Sequence, residues 1–227
     1  MMKKLILTLG IISILASCGS DPSKTMQLTG TIKGLKKGTL YLQKIHDTTM
    51  VTVDSIAFHG DGSFEFEQPL EHPELFFLHL DRADNNTFND RLQFFGEAGQ
   101  VTITTNWDEF DQAKINGSAS QTDYEEYQNI ISNFHKKDLE LAQLAYNVQD
   151  TTKLDSLQTA AERNYLRRYG YILNFGLTHP KSYVTPFVTV RDGAEANPKY
   201  LDSVYNNLDT KVANSTYGKE LAKLLKK

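Results

Sequence analysis

Cysteine is almost absent from this chain: Cys18 is the only one in 227 residues. An internal disulfide is therefore impossible. A CxxC redox pair and a cysteine-rich zinc site are excluded as well. There is also one tryptophan, Trp107, and only 6 prolines. Downstream of residue 17 no apolar run approaches the roughly 20 residues that a membrane helix needs. An excess of positive charge is lacking too. The 24 basic and 28 acidic residues leave a net charge of −4, with no basic stretch, which argues against a nucleic-acid partner. HExxH, GxSxG, P-loop and GxGxxG patterns do not occur, and no cofactor is expected.

What is present begins at the N-terminus. Met1-Met2-Lys3-Lys4 precedes an apolar stretch from Leu5 to Ser17. That stretch is too short to span a bilayer and has the flanks of a signal-peptide core. It ends in Leu15-Ala16-Ser17-Cys18, which resembles the lipobox of bacterial lipoproteins. The resemblance implies cleavage after residue 17 and lipidation of Cys18, the one site residue expected. A lipoprotein carries three acyl chains where two already anchor stably. Position 19 is glycine, not the aspartate associated with inner-membrane retention, so an outer-membrane anchor facing the periplasm is expected. Loss of Lys3 and Lys4 with the leader makes the remaining body more acidic. Residues 18–25 read as a short polar tether.

Two halves with different hydrophobic periods follow. From Met26 to about Ser118 the period is two: Leu28, Gly30 and Ile32 alternate with polar neighbours, and Leu40-Tyr41-Leu42 follows a turn. A strand near Met50 to Phe58 sets Val51, Val53 and Ile56 on one face. Asp61-Gly62 suggests a tight hairpin into Phe64-Glu65-Phe66-Glu67. Further strands are expected at Leu75 to Leu80, Leu92 to Phe95, Val101 to Thr105 and Ala113 to Ile115. Many short strands divided by turns indicate a sandwich or barrel.

After Ser118 the period becomes helical. Thr122-Asp123-Tyr124-Glu125 reads as a capping box. It precedes a stripe of Tyr127, Ile130, Ile131, Phe134, Leu141, Leu144, Ala145 and Val148. Asp150 to Thr152 breaks and recaps, and Leu154, Leu157, Ala161, Tyr165, Tyr169, Ile172 and Leu173 form a second stripe, ended by His179-Pro180. Asn197-Pro198 starts a shorter helix, and a last one runs from about Tyr217. The expected fold is α+β: an N-terminal antiparallel β-sandwich or barrel over residues 26–118, then a helical region over 119–227 with a long αα-hairpin.

Candidate chemistry is sparse. His46, His59, His72, His79, His135 and His179 share no metal-ligand spacing. Glu65 and Glu67 share a strand face at a separation that glycosidase carboxylates use, but a solvated outer face accounts for them equally. The loop from Asp81 to Asp90, with Asp84, Asn85, Asn86 and Asn89, is rich in oxygen ligands suited to calcium. It lacks the glycine and closing glutamate of an EF-hand. The tyrosines concentrated in the helical half, among them Tyr124, Tyr127, Tyr165, Tyr169, Tyr200 and Tyr217, suit either the edge of a core or a partner groove.

Several short motifs occur in a fixed order. These are Gly30-Thr31-Ile32-Lys33-Gly34, Gly38-x-Leu40-Tyr41-Leu42, Asp54-Ser55, Asp61-Gly62-Ser63-Phe64, Phe94-Phe95-Gly96-Glu97-Ala98-Gly99 and Asn116-Gly117-Ser118. His179-Pro180-Lys181-Ser182-Tyr183 and Asn214 to Lys219 follow. The set resembles the N-terminal domain of unknown function of lipoproteins that carry a C-terminal thioredoxin- or peroxiredoxin-like domain. The resemblance implies a redox domain after the segment like Tyr217 to Leu224. This sequence reaches Lys227 without a second cysteine, so oxidoreductase activity is not expected. The expectation is a non-enzymatic, lipid-anchored binding or accessory module with a protein partner in the envelope. An accessory subunit for a separate thioredoxin-like oxidoreductase and an unrecognised hydrolase are the alternatives.

Overall fold

The computed structural model describes residues 22–82 and 90–227. The expected signal peptide, Cys18 and most of the expected tether lie outside the described residues, as do Asp84, Asn85, Asn86 and Asn89.

Among the described residues eight strands form two four-stranded sheets. One holds β1 (Thr25–Lys33), β4 (Ser63–Pro69), β7 (Gly99–Asn106) and β8 (Lys114–Asn116) in the order β4-β1-β7-β8. The other holds β2 (Lys37–His46), β3 (Thr49–His59), β5 (Glu74–Asp81) and β6 (Arg91–Gly96) in the order β3-β2-β5-β6. Alternation puts Met26, Leu28, Phe64, Phe66, Val101 and Ile103 of the first sheet against Leu40, Leu42, Phe76, Leu78 and Phe94 of the second in one buried cluster. The arrangement is a sandwich, and the fold class is α+β. Its pairing is not wholly antiparallel, because β1 and β7 run parallel from Met26↔Gly99 to Lys33↔Asn106.

The strand positions follow the two-fold pattern closely; the connection at Asp61-Gly62 does not. β3 pairs with β2 and β4 with β1, so the turn carries the chain from one sheet to the other and closes no hairpin. Positive φ falls on Gly60 and on neither Asp61 nor Gly62, whereas a type I′ hairpin needs it at both central residues. Gly62 is required for a different reason: a Cβ there would lie 2.0 Å from the Ile32 carbonyl oxygen. The mixed parity of Val51, Val53 and Ile56 also has a cause. Register passes from Leu42↔Asp54 to Gln43↔Thr52, leaving Val53 as the extra residue of a bulge. Val53 and Ile56 then both reach the core.

The helices are α1 (Ala119–Tyr146), α2 (Thr151–Thr178), α3 (Val184–Gly193), α4 (Pro198–Asn207), α5 (Thr210–Ala213) and α6 (Thr216–Leu224). Asp150 caps α2 by accepting from Thr152 and Lys153 amides, and Asn197 caps α4 by accepting from Lys199. The cap of α1 is not Thr122. Ser118 takes that place and accepts from the Gln121 amide, one turn earlier. A second core gathers Leu75 and Phe95 of the sheet with Tyr127, Ile131, Ile172, Phe175, Val184 and Val188 of the helices. Among the described residues no helix is long and apolar enough to cross a membrane.

Candidate functional site

The sandwich and the helices meet along β6. Glu97, just past that strand, accepts from the Ala119 amide (3.1 Å) and the Ser120 amide (2.9 Å), placing a carboxylate on the open N-terminus of α1. Gln121, buried one turn on, accepts from the Phe95 amide at 2.8 Å and so satisfies the outer edge of the sheet. The next turn brings Tyr124, whose oxygen is met by Gln93 Nε2 (2.6 Å), Gln128 Nε2 (2.6 Å) and Arg191 Nη1 (2.9 Å). Arg191 of α3 also grips Asp192 through Nε (2.8 Å) and Nη2 (2.6 Å). Asp192 in turn accepts from the Tyr127 hydroxyl at 2.7 Å.

This network joins three elements and uses its own polar groups on one another. Burial first, then the Asp192 carboxylate, pushes the Tyr127 phenol far above its ordinary value. It therefore stays a neutral donor. The rings of Phe95, Tyr124, Phe187 and Tyr217 close around it, with the Arg191 guanidinium 4.8 Å from the Phe187 ring centre. Polar satisfaction inside an apolar collar is the chemistry of a latch.

At the edge of this seam is a cleft of about 410 Å³ lined by Lys44, His46, Glu74, Phe77, Tyr217 and Glu220, among others. Glu74 is engaged twice, by Lys44 Nζ (3.1 Å) and by the Thr216 hydroxyl (3.2 Å). The Tyr217 hydroxyl accepts from the Leu75 amide at 3.0 Å, and burial pushes its phenol up. Glu220 is raised as well, by burial first and then by the Glu74 carboxylate. Sequence reading misses this pair of acids. Glu74 opens a strand and Glu220 sits on the last helix, and no spacing relates residues brought together only by tertiary folding.

The αα-hairpin is the third feature. α1 is buried mainly in its first half, with Leu141 beyond it, and α2 only toward its end, at Ile172, Phe175 and Gly176. The distal part is held by Arg168 Nη1 to Asp138 (2.8 Å) and by Asn164 Nδ2 to the Phe134 carbonyl (2.9 Å) and Asp138 (2.7 Å). On the same two helices Leu139, Leu144, Leu154 and Leu166 stand open, Leu166 with 67% of its surface exposed. The two apolar stripes are therefore only partly covered. Tyr127, Ile131 and Leu141 are buried, but Ile130 and Leu144 of the same stripe are not.

Residues 26–124 match the family described as Domain of unknown function (DUF4369). No curated protein matches the chain.

The DUF4369 match takes in the whole sandwich and runs on through the Ser118 cap to Tyr124, whose hydroxyl anchors the latch. All the ordered motifs from Gly30 to Ser118 fall within it. The segments His179 to Tyr183 and Asn214 to Lys219 fall beyond it. Within the domain, Glu65 and Glu67 project from β4 on its exposed face, as their alternation indicates. Of the oxygen-rich loop, the described Asp90 is buried and its carboxylate lies 2.5 Å from the Arg82 guanidinium. A cation already occupies that carboxylate. Among the described residues no group of three metal-ligating side chains comes together.

The histidines take scattered structural places. His79 packs on Tyr41 (5.8 Å), His72 on Tyr183 (5.8 Å) and His179 on Phe175 (4.2 Å), while His46, His59 and His135 are exposed. The tyrosines divide. Tyr124 and Tyr127 belong to the core, whereas Tyr165 and Tyr200 are exposed on α2 and α4.

Proposed function

We propose that the chain is a lipid-anchored, non-enzymatic binding module of the cell envelope, held by Cys18 and docking a protein partner through the αα-hairpin. The observation that carries this reading is the apolar stripe of the hairpin. Its spacing is that of a buried helix face, yet Ile130, Leu144 and Leu154 of the two stripes lie open, as do Leu139 and Leu166 on the same two helices. Apolar side chains left open along a hairpin of two helices are what a protein partner would cover. The polar groups of the seam support a non-catalytic role, since Tyr124, Tyr127, Arg191 and Asp192 bond one another and the Tyr127 phenol is held protonated.

The N-terminal sequence supports the anchor. Leu15-Ala16-Ser17-Cys18 follows a basic and apolar leader, and an acylated Cys18 would keep the module at the outer membrane, facing the periplasm. Incorporation of labelled fatty acid by the wild type and not by Cys18→Ala, with the variant moving to the soluble fraction, tests this directly. A variant that still takes up label contradicts it.

The docking half is tested by capturing the tagged full-length chain from solubilised membranes beside the double variant Leu144→Ser, Leu166→Ser. An envelope protein retained by the wild type and lost by the variant supports the reading; identical captured sets contradict it. A thioredoxin-like protein in that place would make the module the accessory subunit of a separately encoded oxidoreductase. The resemblance of the ordered motifs to redoxin-bearing lipoproteins favours that second reading.

A further inference from the structure

Where α2 passes α4, the side chains of Tyr165, Tyr169 and Tyr200 line a cavity of about 370 Å³ with Leu166, Leu173 and Glu195. That volume is within the range of small-ligand sites. Tyr165 and Tyr169 are one helical turn apart, with ring centres separated by 4.6 Å and planes inclined at 55°. They form an open V, not a flat stack. Both hydroxyls donate to Glu195 Oε2, at 3.4 and 3.2 Å. Tyr165 and Tyr200 remain 40% and 56% exposed.

The chemistry of this pocket selects the sign and the size of its occupant. Aromatic faces carry negative charge density, and a carboxylate at the rim adds a full negative charge. Leu166 and Leu173 offer nothing to replace the hydration shell of a small hard cation. A positive charge spread over methyl or methylene groups meets all three demands at once. One of the rings already takes such a charge: the Arg168 guanidinium lies 5.5 Å from the Tyr165 ring centre, its own charge met by Asp138.

We propose that Tyr165, Tyr169, Tyr200 and Glu195 form a binding site for an alkylammonium group. The site is separate from the seam and stands whether or not the hairpin docks a protein. Two sources present that group, a free quaternary ammonium compound such as choline and the lysine side chain of a polypeptide.

The test is a titration of the purified full chain, read by magnetic resonance of its tyrosine rings. The probes are choline, its neutral isostere with a quaternary carbon in place of nitrogen, and lysine amide acetylated only at its α-nitrogen, so that the side-chain ammonium stays charged. Saturable shifts of the Tyr165, Tyr169 and Tyr200 signals with a cation, and much weaker ones with the isostere, are expected. Tyr200→Leu and Glu195→Gln each weaken binding about two- to thirtyfold, with an unchanged melting temperature because both side chains are exposed. Tighter binding of choline assigns the site to a free small molecule, and tighter binding of the lysine amide assigns it to a polypeptide. The proposal is overturned if neither cation saturates, if the isostere binds as well as choline, or if both variants bind as the wild type does.

Discussion

Gln121 of α1 accepts the Phe95 amide of β6 over 2.8 Å, in a place where both residues are buried. This one bond closes the open edge of a sheet with the first turn of a helix. Removing the acceptor leaves the Phe95 N–H buried and unpaired, which costs about 1–3 kcal/mol. Gln121→Leu is expected to lower the urea midpoint accordingly and to speed amide exchange at Phe95 specifically. Exchange unchanged at Phe95 would show that the sandwich does not depend on α1 for that bond.

The same contact shows where sequence reading stops. Strand positions were legible because alternation reports burial residue by residue, and the caps at Asp150 and Asn197 were legible because they are local. The cap of α1 was displaced because Ser118-Ala119-Ser120-Gln121 and Thr122-Asp123-Tyr124-Glu125 both fit the pattern. Glu97, from another element, decides between them by taking the Ala119 and Ser120 amides. Asp61-Gly62 reads as a hairpin because the motif carries no information on which sheet each neighbouring strand joins. α3 has no signature of its own, with β-branched residues and Pro186 throughout, and its helix is set by packing on α2 and α6. The latch and the Glu74–Glu220 cleft join residues far apart in sequence, so nothing local announced them.

The two ends of α2 are expected to respond differently to truncation. Ile172 is fully buried in the second core, and Ile172→Ala should cost about 2–5 kcal/mol. Leu166 lies two turns earlier and is mostly exposed, so Leu166→Ala should stay within about 0.5 kcal/mol of the wild type. Equal losses in chemical denaturation would mean that the distal hairpin is covered by the chain itself.

Glu220 makes stability depend on pH in a defined direction. Burial and then Glu74 raise its carboxyl, so the folded chain holds that proton more tightly than the unfolded one. The associated stability is complete below the ordinary glutamate value and is lost as pH rises through the raised one. Glu220→Gln, always neutral, should melt above the wild type at about pH 7 and level with it at about pH 4. A variant that melts lower at neutral pH would contradict the repulsion across the cleft.

Cross-linking in intact cells tests the docking role of the hairpin most directly. A photoreactive amino acid is placed singly at Leu144, at Leu166 and, for comparison, at Glu65 on the exposed face of β4. The account predicts one adduct of common mass from both hairpin positions and none of that mass from Glu65. No adduct from either hairpin position, or the same products from all three, would contradict it.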